Sequence, residues 1–149
     1  MAVTDINMKT EVLISIEATR TVDGQPSPEN EYSFTTLGEL SEENGNYLIT
    51  YNESELTGFS GSSSFLIEPS KVTFTRTGNA NAQLVLEKNN KHYSYYDIIH
   101  GKMLISAVAD KFAQNFNEHG GDLDVGYMLE INNQYSGYNT LNIKVEGKN

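Results

Sequence analysis

The chain has 149 residues, which is long enough for a single domain with a sizeable core. Its formal net charge of −10 opposes nonspecific binding to nucleic acid or to an anionic membrane, and the absence of cysteine excludes disulfides and thiolate chemistry. No apolar run approaches the roughly 20 residues of a membrane-spanning helix, and no secretory signal precedes the first strand pattern, so a soluble cytoplasmic protein is expected.

The first part of the chain reads as a tail followed by two strands. Residues 1–8 are polar and predict a flexible N-terminal tail, ahead of one domain over residues 9–149. Apolar and polar side chains alternate from Glu11 to Thr21, which predicts a strand because strand side chains have a period of two. A second strand is predicted over Glu31 to Leu40, with a bulge at Gly38.

Two alternating stretches on either side of a Gly/Ser-rich segment organise the chain. The first face carries Tyr47, Ile49, Tyr51 and Glu53, and the second carries Val72, Phe74 and Arg76. Gly58 to Ser64, between the two stretches, is predicted to be a flexible loop. Glu53 and Arg76 share their faces with large apolar side chains. We therefore expect the carboxylate and the guanidinium to form an ion pair inside the fold, because an isolated buried charge would cost several kcal/mol.

The rest of the chain alternates between short strands and turns. Asn44-Gly45 and Asn132-Asn133 are turn signals between strands. Lys102 to Phe112 is apolar on both faces and predicts a covered strand; a helix competes over Val108 to Phe116, where apolar residues recur four apart, but no capping signal opens it. About nine or ten short strands at hairpin spacing predict an all-β fold. Because closure removes exposed edges, we expect a single closed or nearly closed antiparallel up-and-down barrel of about eight to ten strands.

Several of these motifs together resemble a known family. They are Tyr47-x-Ile49-x-Tyr51-x-Glu53, Val72-x-Phe74-x-Arg76-x-Gly78, His92-Tyr93 followed by Gly101, and Gly121-x-Leu123-x-Val125-x-Tyr127-x-Leu129. Over roughly Lys9 to Val145 the chain resembles the YwiB-like family, which comprises uncharacterised calycin-like β-barrel proteins of Gram-positive bacteria. The resemblance implies a calycin-like barrel, shared in outline with lipocalins and fatty-acid-binding proteins, and it implies no activity.

Arg76 and Glu53 are the main candidates for a ligand site. In the functional interpretation Arg76 receives a carboxylate or another anion, and Glu53 holds the guanidinium in place. The aromatic side chains predicted to line the same site are Tyr47, Tyr51, Phe74 and Tyr127. In the structural interpretation the ion pair fixes strand register and the aromatic residues are packed core. The sequence leaves both interpretations open.

Three functions follow, in order of preference. The first is a non-enzymatic barrel that binds a small, partly apolar or anionic ligand. The second is a protein-interaction or structural module with a filled barrel, whose exposed apolar patch or homodimer seam lies along Leu104 to Phe112. The third is an enzyme that uses Glu53 as general acid or base, a role that a tight contact with Arg76 would oppose.

The sequence predicts no catalytic residue, cofactor or metal site. His92, His100 and His119 flank predicted turns and follow no ligand spacing, so surface histidines are expected. Nucleic acid and membranes are not expected as partners, because the chain is strongly acidic.

Overall fold

The computed structural model describes residues 9–21, 29–52, 61–78 and 81–147, with residues 29–32 described by their backbone alone. These residues form ten β-strands. The strands are β1 (Thr10–Thr21), β2 (Glu29–Glu43), β3 (Asn46–Asn52), β4 (Gly61–Ile67), β5 (Lys71–Gly78), β6 (Ala82–Glu87), β7 (His92–Ile98), β8 (Gly101–Asn117), β9 (Gly120–Ile131) and β10 (Gln134–Gly147). The described residues contribute no helix that could span a membrane.

The ten strands form one closed antiparallel barrel. Each strand pairs with its neighbours in the chain, and β1 pairs with β10 to complete the ring. At this seam Ile14 lies opposite Val145 and Ile16 opposite Ile143, and all four side chains are buried. Burying one such branched side chain stabilises the fold by about 1.5–3 kcal/mol. The predicted all-β, closed up-and-down barrel is confirmed.

Two of the predicted turns close their hairpins with two residues each. Asn44 and Gly45 have φ of 57° and 84°, and Asn132 and Asn133 have φ of 52° and 67°. Positive φ at both positions is the geometry of a type I′ turn, which asparagine and glycine tolerate better than other residues. The turns expected at both sites are confirmed.

Gly38 lies in a regular part of the ladder, so the bulge predicted there was wrong. The register between β1 and β2 shifts further along, between Ala18 and Thr19. A Cβ atom on Gly38 would lie 2.3 Å from the carbonyl oxygen of Thr50 and 2.5 Å from Cδ1 of Ile14. The glycine is therefore required by the close approach of β2 to β3, which begin to pair at the next residue.

Strand β8 is longer than predicted and carries a bulge. The preference for a strand over a helix is confirmed, and the register with β9 shifts between Ala109 and Lys111. This shift turns Phe112 inward to pair with Val125. The bulged residue, Asp110, accepts a hydrogen bond of 2.7 Å from the Tyr138 hydroxyl, and burial together with this contact raises the pKa of Tyr138 to about 12.

The Gly/Ser-rich segment is a strand over the part that the structure describes. Gly61–Ile67 pairs with β3 on one side and with β5 on the other, so the loop expected over residues 58–64 is wrong from Gly61 onward. Ser62 contacts Thr77 across the ladder, with their hydroxyl oxygens 3.3 Å apart. Residues 58–60 and the tail predicted over residues 1–8 lie outside the described residues.

Candidate ligand site inside the barrel

A cavity of about 320 Å³ occupies the barrel interior near the end that carries the β9–β10 turn. Three residues singled out from the sequence, Phe74, Arg76 and Tyr127, lie together in its wall. They meet because Phe74 and Arg76 share the inward face of β5, while Tyr127 lies on the inward face of β9. The volume is near the lower bound of about 300 Å³ for small-molecule sites, so the cavity suits a small ligand.

The wall of the cavity is mostly apolar. Phe65, Leu84, Leu129 and Leu141 line it beside Phe74. The Phe65 and Phe74 rings contact each other at a centroid distance of 5.0 Å. Such a lining favours an apolar ligand body, because binding removes that body from water.

Arg76 places a positive charge in this apolar wall. The residue is half-buried, and its ladder partners on either side are Ser63 and Ala82, which are 2% and 8% exposed. Because both partners are small, the guanidinium has room beside them. Its central carbon lies 5.7 Å from the centroid of the Phe74 ring, within range of a cation–π interaction.

The structure adds two polar residues that the sequence did not single out. Tyr96 on β7 pairs with Ala82 and lines the cavity. Asn139 on β10 is 7% exposed, lines the cavity, and donates from Nδ2 to the carbonyl oxygen of Gly137 at 3.4 Å. Asn139 shares its face with Leu141, so strand alternation was the signal that could have identified it. Tyr96 lies in a run of tyrosines in which alternation alone does not reveal the inward one.

Arg20 lies at the same end of the barrel as Arg76. It is the ladder partner of Asn139 and is half-buried. Its Nε and Nη2 atoms donate to the carbonyl oxygen of Ser136 at 3.0 and 2.9 Å. A Cβ atom on the neighbouring Gly137 would lie 2.8 Å from the carbonyl oxygen of Thr21. The two arginines of the chain therefore lie toward one end of a protein with a net charge of −10. An anion is favoured there over a cation.

The other predicted residues lie elsewhere. Tyr51 is buried and stacks on Phe65, with ring centroids 6.4 Å apart and planes 19° apart. It therefore packs against one of the residues that line the cavity. Tyr47 does not reach the Arg76 cavity. Its ring stacks on Phe116 at 5.9 Å, and it lines a depression with Glu118 at another turn. Binding by Tyr47 and Tyr51 stays a prediction.

Glu53 lies outside the described residues. Its ion pair with Arg76 therefore stays a prediction, and so does the role of general acid or base assigned to it as an alternative.

His92 differs from the surface histidine that was expected. It lies within β7, is half-buried, and its Nε2 atom is 2.7 Å from Oε1 of Glu87. This contact lowers the pKa of Glu87. His100 and His119 are exposed at turns. The described residues contain no group of three or more side chains arranged to hold a metal ion.

Two further ion pairs flank β7 on the outside of the barrel. Lys102 contacts Asp97 at 2.6 Å, and this hydrogen bond, with one from the Asn81 backbone, lowers the pKa of Asp97. Lys91 contacts Glu130 at 3.0 Å, and this contact, with one from the Ser106 hydroxyl, lowers the pKa of Glu130. The carboxylates around β7 are thus held ionised by neighbours on the same surface.

Comparisons with known proteins agree with the fold. The structure is similar to the crystal structure of the ywiB protein from Bacillus subtilis, with a TM-score of 0.79 and 13% sequence identity over 95% of this chain and 94% of that one. At this identity the likeness shows a common fold. No curated protein matches the sequence. Residues 14–143 match the family described as "Domain of unknown function (DUF1934)". The resemblance to the YwiB-like family is confirmed, and the chain belongs to the DUF1934 family.

Proposed function

We propose that the protein binds a small, partly apolar anion in the barrel cavity, with Arg76 as the polar anchor. One observation carries the proposal: a guanidinium stands in the otherwise largely apolar wall of an interior cavity of about 320 Å³. A binding protein is favoured over an enzyme. An enzyme would need Glu53 as its general acid or base, and a tight contact between Glu53 and Arg76 would oppose that role. We retain the cytoplasm as the expected location, on the sequence arguments given above.

The chemistry of Arg76 suits this role. A guanidinium has five N–H donors, and a carboxylate that binds it side by side accepts two of them. The side chain can therefore keep a protein partner and still donate to a ligand. Tyr96, Tyr127 and Asn139 add hydroxyl and amide groups to the same cavity, and a few polar groups of this kind fix the orientation of a ligand whose body is apolar.

The proposal predicts that the ligand's head group decides affinity. Octanoate, octan-1-ol and octylammonium share one apolar chain and differ in charge. In isothermal titration we expect octanoate to bind at least about tenfold more tightly than the other two, because a charge-assisted hydrogen bond contributes roughly 1.5–3 kcal/mol. Arg76→Met keeps an unbranched side chain without charge and should abolish that preference while octanol binds as before.

Lys144→Met is the matched control, because Lys144 is exposed on the outer surface of β10. This variant should bind octanoate as the wild type does. Equal affinities for the three ligands, or an unchanged affinity for octanoate in the Arg76→Met variant, would contradict the proposal.

A second candidate function is self-association through the outside of β7 to β10. Eight large apolar side chains of the described residues are exposed, and six of them lie on these strands or their turns. The six are Tyr93, Tyr95, Ile98, Ile99, Met128 and Tyr135. We call this surface the aromatic face. Leu104 and Val108 are half-buried on the same surface, whereas the bulge at Asp110 turns Phe112 away from it. Leu104 and Val108 therefore support the first half of the homodimer seam expected over Leu104 to Phe112.

Charge favours a second copy of this chain as the occupant of the aromatic face. Lys91 pairs with Glu130 and Lys102 with Asp97, so these charges cancel within the face. The whole chain carries −10, and two copies therefore repel each other least where this face meets its own copy. Contiguous exposed apolar patches commonly mark interaction sites.

Sedimentation velocity over a range of protein concentrations tests this candidate. We expect a dimer in the wild type and a monomer after Tyr93→Lys, because a lysine in the interface would be desolvated without a partner. Leu37→Lys, at an exposed apolar residue on β2, should leave the dimer intact. A wild type that stays monomeric at every concentration would exclude self-association, and capture of a different protein would assign the face to another partner.

A further inference from the structure

The barrel wall is weakest between β6 and β7. Within the described residues these strands share one ladder pair, Ala82 with Tyr96. The flanking ladders are much longer, with six pairs between β5 and β6 and seven between β7 and β8. Strands β6 and β7 are thus each paired along most of their length with their outer neighbour, and with each other at a single ladder pair.

The gap between β6 and β7 is closed at its two ends. At the end near Arg76, the Asp97 N–H donates to the carbonyl oxygen of Asn81 at 2.9 Å. At the other end, the Asn90 N–H donates to the carbonyl oxygen of Glu87 at 3.3 Å, and the His92 ring contacts the Glu87 carboxylate at 2.7 Å. The Asn89 N–H also donates to the carbonyl oxygen of Ala109 on β8 at 2.8 Å. The ladder is interrupted between these contacts, along Gln83 to Leu86 on β6.

The gap faces the cavity directly. Leu84 and Leu86 on β6 and Tyr96 on β7 are all part of the cavity wall. Ser94, which lies between His92 and Tyr96 on the inward face of β7, is small. Along the gap the cavity wall is therefore formed by side chains without a continuous backbone ladder behind them.

We propose that the gap between β6 and β7 is the port through which a small anion enters the cavity, with the Glu87–His92 contact as its latch. The proposal rests on the binding function proposed above. Opening the port breaks one ladder pair and the contacts at its ends, among them the hydrogen bond from Asn89 to Ala109, while β6 stays on β5 and β7 stays on β8. The shortest other ladder of the described barrel, between β2 and β3, has five pairs to break. Glu87 and Asp97, at the two ends, are paired with His92 and Lys102, so an incoming anion does not meet an isolated carboxylate.

A disulfide across the port tests this proposal. The chain has no cysteine, so Gln83→Cys with Tyr95→Cys creates a single pair. Gln83 and Tyr95 are exposed on the outside of the gap and are the chain neighbours of the paired residues Ala82 and Tyr96. Octanoate with a trifluorinated terminal methyl group reports association and dissociation by fluorine NMR exchange. We expect oxidation to slow both rates by on the order of tenfold, to leave Kd unchanged, and to be reversed by reduction.

The matched control is a disulfide in a complete ladder. Ser62→Cys with Thr77→Cys joins two exposed residues across β4 and β5, and its oxidation should leave both rates unchanged. A second variant tests the latch without a disulfide: Glu87→Ala should speed both rates several-fold, whereas Glu146→Ala, an exposed carboxylate on β10, should not.

The outcomes separate the two proposals. Absence of trifluorooctanoate binding to the reduced protein overturns the binding function, and with it the port. Binding with exchange rates that neither the disulfide across the port nor Glu87→Ala changes leaves the cavity site in place and overturns the port.

Discussion

Replacing Gly38 with alanine is expected to destabilise the barrel by about 3–5 kcal/mol, which is a large part of the roughly 5–15 kcal/mol that holds a typical domain folded. The added methyl group would lie 2.3 Å from the Thr50 carbonyl oxygen and 2.5 Å from Cδ1 of Ile14. The Ile14 side chain can move, but the backbone oxygen of β3 cannot move without disturbing the β2–β3 ladder. Urea unfolding followed by circular dichroism measures the loss, since the chain contains no tryptophan for fluorescence.

Gly147→Ala is the control for this experiment. A Cβ atom at Gly147 would have its nearest neighbour at 3.8 Å, the carbonyl oxygen of His119, so the free energy of unfolding should change by less than about 0.5 kcal/mol. A Gly38→Ala variant with the midpoint of the wild type would mean that β2 and β3 separate at little cost.

Replacing Ala18 with leucine is expected to abolish most ligand binding without harming the fold. Ala18 lines the cavity of about 320 Å³, so the three added carbon atoms would occupy space otherwise left for a ligand. Octanoate should bind at least about tenfold more weakly, a loss of roughly 1.4 kcal/mol. The free energy of unfolding should stay the same or rise by about 1 kcal/mol, because filling a cavity is a common way to stabilise a protein. Isothermal titration and urea unfolding measure the two quantities.

Ala113→Leu makes the same change on the outer face of β8, where the alanine is exposed, and should leave binding unaltered. Together with Arg76→Met this pair tests the two halves of the proposed site, in which Arg76 is proposed to contact the head of the ligand and Ala18 its body. Octanoate binding that survives Ala18→Leu would place the ligand outside the barrel interior.

Local alternation was enough to predict much of the fold. The period of two along β1 identifies Ile14 and Ile16 as buried, and the same rule places Phe74 and Arg76 on one inward face. The Asn-Gly and Asn-Asn turns could be predicted because positive φ restricts the residue type. These features depend on a few neighbours along the chain, so sequence alone is sufficient to find them.

Features that depend on a partner strand could not be predicted in the same way. The bulge at Asp110 reverses the inward face of β8, and it is visible only in the register with β9. The serines from Ser62 onward have the composition of a loop, yet strands on both sides hold them in a ladder. Tyr96 is the inward member of a tyrosine run, and its pairing with Ala82 reveals this. The amino-acid composition of β6 and β7 does not indicate that the two strands pair weakly.

The seam between β1 and β10 also has a consequence for how the protein folds. Val12 pairs with Gly147, so the residues that complete the ring are among the most distant in the sequence. On a ribosome, β1 emerges long before β10, so the apolar side chains of β1 lack their final partner strand until β10 has been synthesised. Contacts of such long range make folding slow, because loop entropy is lost before the contacts form. Until β1 and β10 pair, the open edge of β1 can pair with another unfolded chain. This pairing between chains increases with concentration, so we expect refolding to be more efficient in dilute solution than in concentrated solution.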